Sequence, residues 1–231
     1  MSFWNVTVFL FDGFKISLLI FAVTLLVAIP LGLPIAFCSM SRIKPIKYLA
    51  KIVVWIIRGV PLMLQIFIIY YVPGLVFNYQ LFGTVDKYFL LNYNIQDMGR
   101  ILAVLIAFSL NYACYFSEIY RGGIESISKG QYEAGQVLGM TDRQIFFKVV
   151  LLQVTKRIVP PMSNEIITLI KDTALANCIM VAEVIKQANT LAATKALIWP
   201  LFFTGVFYLT FVGLLTVIFG RIEKKLSYFS S

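Results

Sequence analysis

The sequence predicts an all-α protein that crosses a membrane several times, and three observations lead to that fold class. The chain of 231 residues is 60% hydrophobic and 13% charged, whereas soluble domains are about 45–50% apolar and about 25% charged. Its mean hydropathy is +0.85. Its apolar segments reach the length of about 20 residues that a spanning helix needs, and they lack the alternation of strands. We therefore expect a single transmembrane domain over residues 1–231.

Five stretches have the length and composition of spanning helices. They are Phe14–Met40, Leu49–Val72, Ile101–Tyr120, Ile158–Ala182 and Trp199–Phe219, of which Ile158–Ala182 is the least apolar. Pro30, Pro34 and Pro61 fall inside these stretches. Membrane helices tolerate proline where neighbouring groups satisfy the freed carbonyls, so these prolines predict kinks.

The lysines and arginines predict the orientation of the chain. Cations cluster after the first, third and fifth stretches: Arg42, Lys44, Lys47 and Lys51; Arg121, Lys129, Arg143, Lys148, Lys156 and Arg157; and Arg221, Lys224 and Lys225. The connections Gly74–Gly99 and Glu183–Ile198 carry few. Because cytoplasmic connections are enriched in Lys and Arg, the N-terminus is predicted outside and the C-terminus in the cytoplasm. The net charge of +9 is scattered over helix ends, which disfavours a nucleic-acid partner.

Composition also argues against several kinds of enzyme. The chain has no histidine, so it lacks the base of Ser-His-Asp and Cys-His sites and every histidine metal ligand. Cys38, Cys114 and Cys178 lie in or beside predicted spans and show no metal-binding spacing. No phosphate-binding P-loop motif occurs. We expect no catalytic site, no metal site and no cofactor in this chain.

A polar segment, "SISKGQYEAGQVLGMTDRQIF", separates the third and fourth stretches. Ser128 and Gln131 have the spacing of a capping box, and so do Thr141 and Gln144. Gly139 lies between the two and is a typical helix end. The segment therefore predicts a short helix, a glycine hinge and a second helix that leads into the fourth span.

This segment resembles the EAA loop of ABC-transporter permeases, the element that docks on the ATPase subunit. Glu133, Ala134, Gly139 and Leu151 keep the family register, and Gly135 replaces the second alanine. The resemblance implies an ATPase-coupling element within residues 126–157, here called the EAA loop, which contains Gly130, Glu133, Ala134, Gly135 and Gly139. We expect Ala134 and Gly135 to let another backbone approach closely.

Three further motifs resemble the polar amino-acid branch of this family. They are "FSEIYRGGIESISKGQYEAGQVLG", "RGVPLMLQIFIIYYVP" and "PPMSNEIITLIKDTALA", and they occur in the family order. The resemblance covers nearly the whole chain. It implies the fold of a type I importer permease with a cytoplasmic coupling helix.

The resemblance implies that the chain is the transmembrane subunit of an ATP-driven importer for polar, basic or cystine-like amino acids. In a dimer of such subunits, it would form the translocation path. The implied partners are a second permease subunit, identical or paralogous, an extracytoplasmic substrate-binding protein, and two cytoplasmic ATPase subunits that bind ATP and Mg. The implied location is the bacterial inner membrane. The alternative is a secondary transporter or channel without an ATPase, which would predict inverted repeats; no convincing internal repeat occurs.

Polar residues inside the fourth stretch are candidates for the translocation path: Asn164, Glu165, Thr168, Lys171 and Asp172. Glu165, Thr168 and Asp172 share one helix face by their spacing. A charge near the bilayer centre costs about 2.5–3.5 kcal/mol or more, so Lys171 and Asp172 should line a cavity or be paired. Two interpretations stay open for Lys171 and Asp172. In the first, carboxylates meet the ammonium group of a substrate and Lys171 meets the substrate's carboxylate; in the second, the charges form ion pairs that hold a partner subunit. For Glu165 the structural interpretation is favoured.

Two other groups of residues are candidates for the path or its gate. Glu118 and Arg121 are three residues apart, which favours a local ion pair over a gate contact. Arg58, Pro61 and Gln65 in the second stretch suggest a kinked, polar element that lines the path. The alternative for these three is a helix end with one tolerated proline.

Overall fold

All the regular elements in the computed structural model, which describes residues 2–93 and 97–226, are helical, as the sequence predicts. The first five helices are α1 (Phe3–Met40), α2 (Lys44–Gly59), α3 (Leu62–Phe77), α4 (Leu81–Tyr93) and α5 (Met98–Glu125). Then follow α6 (Lys129–Val137), α7 (Asp142–Ile145), a π-helical turn (Phe146–Val150), α8 (Leu151–Asp172), a 3₁₀ segment (Thr173–Ile179), α9 (Val184–Lys195) and α10 (Trp199–Leu226).

The core forms where α1 packs along α5. Most of α5 is buried, and small residues allow the two helices to approach closely. A β-carbon on Gly32 of α1 would lie 3.0 Å from the Phe116 β-carbon and 3.1 Å from the Ala113 carbonyl oxygen of α5. Small residues at such contacts are typical of membrane helices, whose association depends on close van der Waals packing. The pair therefore forms a rigid centre for the helices around it.

The predicted second span is broken in two. Instead of a single kinked helix over Leu49–Val72, α2 and α3 meet at an angle of 103°. The break falls at Val60 and Pro61, where proline cannot supply a backbone N–H and disfavours helical geometry before it. The Gln65 side chain donates hydrogen bonds to the Ile57 carbonyl (2.7 Å) and the Val60 carbonyl (2.8 Å). These bonds satisfy acceptors that the break would leave unpaired.

Three helices of the described chain, α1, α5 and α10, are long and apolar enough to cross a membrane. The bent pair of α2 and α3 makes a fourth candidate if it counts as one span. The predicted span Ile158–Ala182 corresponds to α8 and the 3₁₀ segment after it, and it is absent from this set because charged residues lower its apolar character. Its membrane crossing stays a prediction.

Both connections that were predicted outside contain a helix. In Gly74–Gly99, of which residues 94–96 lie outside the described chain, α4 packs against α5, and the Gly99 N–H donates to the Asp86 carboxylate (2.6 Å). In Glu183–Ile198, α9 packs against α1 and α10. The buried Glu183 carboxylate caps α9 by accepting the N–H groups of Ile185 and Lys186. Sequence analysis assigned no helix to either connection, because neither contains an apolar stretch long enough to span a membrane.

Candidate functional site

A polar cavity of about 540 Å³ lies where the break between α2 and α3 faces α5 and α8. Its lining contains Arg58, Gly59, Val60, Pro61, Leu62, Asn111, Tyr112, Tyr115, Glu165, Thr168 and Asp172. Five of these were predicted as path residues from the sequence: Arg58, Pro61, Glu165, Thr168 and Asp172. Because the helix break opens the space in front of α5 and α8, Pro61 has a direct role in forming the cavity.

Arg58 provides the positive charge of the polar cavity. Its guanidinium lies over the Tyr115 ring, 4.8 Å from the ring centroid. Its Nη1 is 3.7 Å from the Glu118 carboxylate, and the Arg58 side chain remains 40% exposed. A guanidinium on an aromatic face is attracted by the ring quadrupole and keeps its hydrogen-bond donors free for other groups. Arg58 is therefore held in place while it still faces the cavity.

Glu118 belongs to a local ion pair at the edge of this region. Arg121 donates two hydrogen bonds to its carboxylate, from Nε at 3.1 Å and from Nη2 at 2.6 Å. A third arginine nitrogen, Nη1, contacts Glu125 at 2.6 Å. The predicted pairing of Glu118 with Arg121 is confirmed. Glu118 does not line the cavity itself but contacts it through Arg58.

Asp172 has a partner that the sequence did not indicate. The Tyr112 hydroxyl donates a hydrogen bond of 2.6 Å to Asp172 Oδ2. Tyr112 is only 2% exposed, and its ring packs against Phe108 and Phe116. A buried ring of this kind fixes the position of its hydroxyl. Among the residues that the structure describes, no hydrogen bond reaches the other carboxylate oxygen of Asp172, so that oxygen can contact a bound molecule.

The remaining predicted residues of α8 divide between the cavity and the outer surface. Glu165 and Thr168 line the cavity with Asp172, as their shared helix face predicts. Asn164 and Lys171 are exposed and outside the cavity lining. Gln65 is also outside the lining, because its amide serves the broken helix.

Three polar side chains of the lining were missed by sequence analysis: Asn111, Tyr112 and Tyr115. Asn111 is buried in the middle of the spanning helix α5. Asn111, Tyr115 and Glu118 are spaced i, i+4 and i+7, which places them on one face of α5. That polar stripe on a spanning helix was a usable signal, since polar residues at such positions tend to face a cavity.

The chemical groups of the polar cavity are suited to binding a small charged molecule. No cluster of three possible metal ligands occurs among the residues that the structure describes. The cavity combines one guanidinium with two carboxylates, together with phenol, amide and hydroxyl groups. Such a set can bind a small molecule that carries both an ammonium and a carboxylate.

The EAA loop forms a second site, folded around a small apolar cluster. Ile127, Ile145, Val150 and Val154 are buried together. A β-carbon on Gly135 would lie 2.6 Å from the Ile145 Cγ1 atom. The group that approaches closely at Gly135 is thus the Ile145 side chain, and not another backbone as expected. Gly135 has a packing role inside the loop.

One of the two predicted capping boxes is present. The Gln144 N–H donates to Thr141 Oγ1 (3.3 Å), and the Thr141 N–H donates to Gln144 Oε1 (2.9 Å). Ser128 is the N-cap of α6, but its side chain makes no capping hydrogen bond, so the first predicted box is wrong. Instead Gln131 accepts a hydrogen bond from Gln153 (2.9 Å), a contact to α8 that draws its side chain away from the cap.

The far end of α6 is open to solvent. Gly139 has a φ of +70°, the left-handed conformation of a glycine that ends a helix. Just before it, Val137 and Leu138 are 88% and 78% exposed. Gly130, Glu133 and Ala134 are exposed as well. The loop therefore presents an apolar tip beside a glutamate on a short, rigidly connected helix.

Comparison with known proteins places the chain in a family. Residues 28–228 match the family described as binding-protein-dependent transport system inner membrane component. The L-cystine transport system permease protein TcyB of Bacillus subtilis is 37% identical over 83% of this chain and 73% of its own length. The arginine transport system permease protein ArtQ of the same organism is 33% identical over 94% of this chain and 92% of its own length.

Solved structures show the same fold. A crystal structure of an amino acid ABC transporter with histidines superposes with a TM-score of 0.79, at 26% identity over 97% of this chain and 99% of that chain. The MetNI methionine ABC transporter in an inward-facing conformation gives a TM-score of 0.66 at 15% identity, over 98% and 99% of the two chains, which supports the fold alone. The chain is therefore an inner-membrane, multi-pass protein of the binding-protein-dependent transport system family, in its branch of amino-acid ABC transporter permeases.

Proposed function

We propose that this permease subunit carries an amino acid through the polar cavity during ATP-driven import, and that the EAA loop transmits the ATPase movement to the spans. The observation that carries the proposal is the charge arrangement in the cavity. Arg58 comes from α2, while Glu165 and Asp172 come from α8 on another wall. An amino-acid zwitterion would fit between these walls.

Each end of the substrate has a candidate partner. Asp172 and Glu165 are proposed to meet the substrate ammonium, and Arg58 its carboxylate, because charge-assisted hydrogen bonds of this kind are short and strong. In one of the two interpretations left open by the sequence, Lys171 meets the substrate carboxylate, but Lys171 is exposed outside the cavity lining. Arg58 is therefore the better candidate. The names of two relatives suggest L-cystine and arginine as substrates to test first.

The EAA loop is the proposed docking site for the ATPase. Its exposed tip of Val137 and Leu138 can enter an apolar groove, and Glu133 beside it can pair with a cation of the partner. Behind the tip, Gln153 donates to Gln131, which ties α6 to α8, and the Arg157 guanidinium of α8 donates to the Ser126 carbonyl at the end of α5. A displacement of α6 would thus reach the helix that carries Glu165 and Asp172.

The proposed assembly contains a second permease subunit, two cytoplasmic ATPase subunits that bind ATP and Mg, and an extracytoplasmic substrate-binding protein. This chain has no P-loop of its own, so its ATP hydrolysis is assigned to the partner. We propose an external N-terminus and a cytoplasmic C-terminus. In a variant without Cys38, Cys114 and Cys178, a cysteine at Lys87 should then react with an impermeant external thiol reagent, whereas one at Ser128 should not. Reversed labelling would show the opposite orientation.

The direct test is substrate-dependent ATP hydrolysis. The permease would be purified with its ATPase and substrate-binding protein, reconstituted in vesicles, and assayed with a panel of amino acids. We expect one class of amino acid to stimulate hydrolysis and to accumulate in an ATP-dependent manner. Uptake that proceeds without any ATPase would favour the secondary-transporter alternative.

A further inference from the structure

Helix α2 is amphipathic and only slightly covered by the rest of the protein. Val54 is its single buried residue. Leu49, Val53 and Ile56 lie on one side of the helix and are 66%, 42% and 49% exposed. An exposed apolar side of this kind needs an apolar environment. Trp55 is 75% exposed and points about 120° away from Leu49, close to the opposite side of the helix.

The opposite side of α2 carries a row of cations. Lys44, Lys47 and Lys51 are spaced i, i+3 and i+7 and therefore share one side, and Arg42 precedes the helix. Counting about 100° per residue, Leu49, Val53 and Ile56 point roughly 120–180° away from Lys44. Among the residues that the structure describes, no carboxylate lies within 4.0 Å of these four cations, since the ion pairs found there involve other residues.

The direction of α2 fits a helix at the membrane surface. Its neighbour α3 packs on the spanning helix α5, and α2 leaves α3 at 103°. A helix that turns so sharply from a spanning segment runs closer to the bilayer plane than to its normal. An apolar face, an opposite basic face and an interfacial tryptophan are the features of helices that lie between headgroups and acyl chains.

We propose that α2 is an interfacial helix whose basic row, Arg42, Lys44 and Lys47, binds the phosphate headgroups of anionic phospholipids while Leu49, Val53 and Ile56 lie among their acyl chains. Juxtamembrane lysines and arginines attract anionic lipids in this way. Lys51 has a second role, because it acts electrostatically on Glu118. Arg58, at the other end of α2, lines the polar cavity, so α2 connects the lipid contact to the cavity. The meaning of this connection rests on the proposed function, whereas the lipid contact does not.

Trp55 provides the probe for the test. In a Trp4→Phe/Trp199→Phe background it is the sole tryptophan of the chain. The permease would be purified with partner subunits that carry no tryptophan near α2. The complex would then be placed in phosphatidylcholine vesicles that contain 20% of either brominated phosphatidylglycerol or brominated phosphatidylcholine. Bromine quenches tryptophan on contact, so stronger quenching by the glycerol lipid at equal mole fraction measures its enrichment around α2.

The expected result is an excess of phosphatidylglycerol at Trp55 that disappears in Arg42→Gln/Lys44→Gln/Lys47→Gln. Each cation near an anionic surface is worth up to about a fivefold preference, so the enrichment should fall at least about threefold in the variant, and also in 0.5 M salt. The control Lys87→Gln/Lys186→Gln/Lys195→Gln removes the same charge from α4 and α9 and should retain the enrichment.

Two outcomes would overturn the proposal. Equal enrichment in the two triple variants would remove the basic row from lipid binding. Protection of Trp55 from both brominated lipids would mean that a protein, such as the second permease subunit, covers the basic side of α2. The measurement needs neither substrate nor ATP, so a failure of the proposed transport function would not affect it.

Discussion

The EAA loop and the polar cavity are both polar regions of an apolar protein, but different contacts hold them together. In the EAA loop the decisive contacts are close in sequence: Thr141 with Gln144, and Gly135 with Ile145. In the cavity, Tyr112 reaches Asp172 and Arg58 reaches Glu118, each pair sixty positions apart.

This difference has a physical consequence for how each region can fail. A local contact forms with little loss of chain entropy and depends mainly on the residues that make it. A contact between distant helices forms only when the helices are already packed, so it depends on the whole core. A single substitution should therefore disturb the EAA loop through its own backbone and packing, and the cavity through charge and function at an intact fold.

The largest effect is expected for Asp172→Asn. This nearly isosteric change removes the charge of a carboxylate that Tyr112 holds toward the cavity. Hydrogen bonds to charged groups contribute about 1.5–3 kcal/mol, so substrate affinity or transport should fall about 10- to 100-fold while assembly with the ATPase continues. Uptake and the yield of assembled complex are both measured.

Two companion variants sharpen this test. Lys171→Met removes an exposed charge outside the cavity lining and should change uptake little. Tyr112→Phe retains the ring and removes one hydrogen bond, so it should show a weaker form of the Asp172→Asn defect. If Asp172→Asn instead lowers the yield or thermal stability of the complex while the remaining complex still transports, Asp172 belongs to the ion pairs that hold a partner subunit. A stable, fully active Asp172→Asn complex would contradict both interpretations.

The second largest effect is expected for Gly135→Ala in the EAA loop. The new methyl group would lie 2.6 Å from Ile145 Cγ1 and 2.8 Å from its Cδ1 atom, and Ile145 is fully buried. Overpacking of this kind costs about 1–3 kcal/mol, so the thermal midpoint of the purified permease should fall. Gly130→Ala is the matched control, because that glycine lies in the same helix with open space around it. Equal midpoints for the two variants would show that the Ile145 contact is unimportant.

The third effect concerns the backbone of Gly139. Gly139 has a φ of +70°. In Gly139→Val the left-handed conformation costs about 1–2 kcal/mol of folding free energy, so the tip of α6 should tilt. ATP hydrolysis should then continue with about tenfold less uptake per ATP, or the ATPase should be lost on purification. Gly139→Asn should restore coupling, since asparagine adopts this conformation more readily. A Gly139→Val complex with normal assembly and normal transport would count decisively against the hinge.

The same contrast explains which features were predictable from the sequence. Gly139, the Thr141 cap and the Glu118–Arg121 pair were predicted because each depends on residues three or four apart. The shared face of Glu165, Thr168 and Asp172 followed from helix periodicity. The Tyr112–Asp172 bond, and the presence of Arg58 rather than Lys171 in the cavity lining, depend on which helices pack together and where α2 breaks. No local pattern contains that information.

The smallest effect separates two N-caps that have the same motif. Thr141 accepts a hydrogen bond from Gln144 N–H, whereas the Ser128 side chain makes no capping bond. Loss of a working cap costs about 0.5–2 kcal/mol, so Thr141→Ala should speed amide hydrogen exchange at Gln144 and lower the thermal midpoint slightly. Ser128→Ala should leave exchange in α6 nearly unchanged, because Gln131 is already engaged by Gln153 of α8. Gln153→Ala offers a further check, because it removes the hydrogen bond that holds Gln131. If the Ser128 capping box then forms, Ser128→Ala should lower the thermal midpoint only in the Gln153→Ala background. Equal costs for Thr141→Ala and Ser128→Ala in the otherwise unchanged protein would mean that both caps operate, and that the contact between α6 and α8 does not replace one of them.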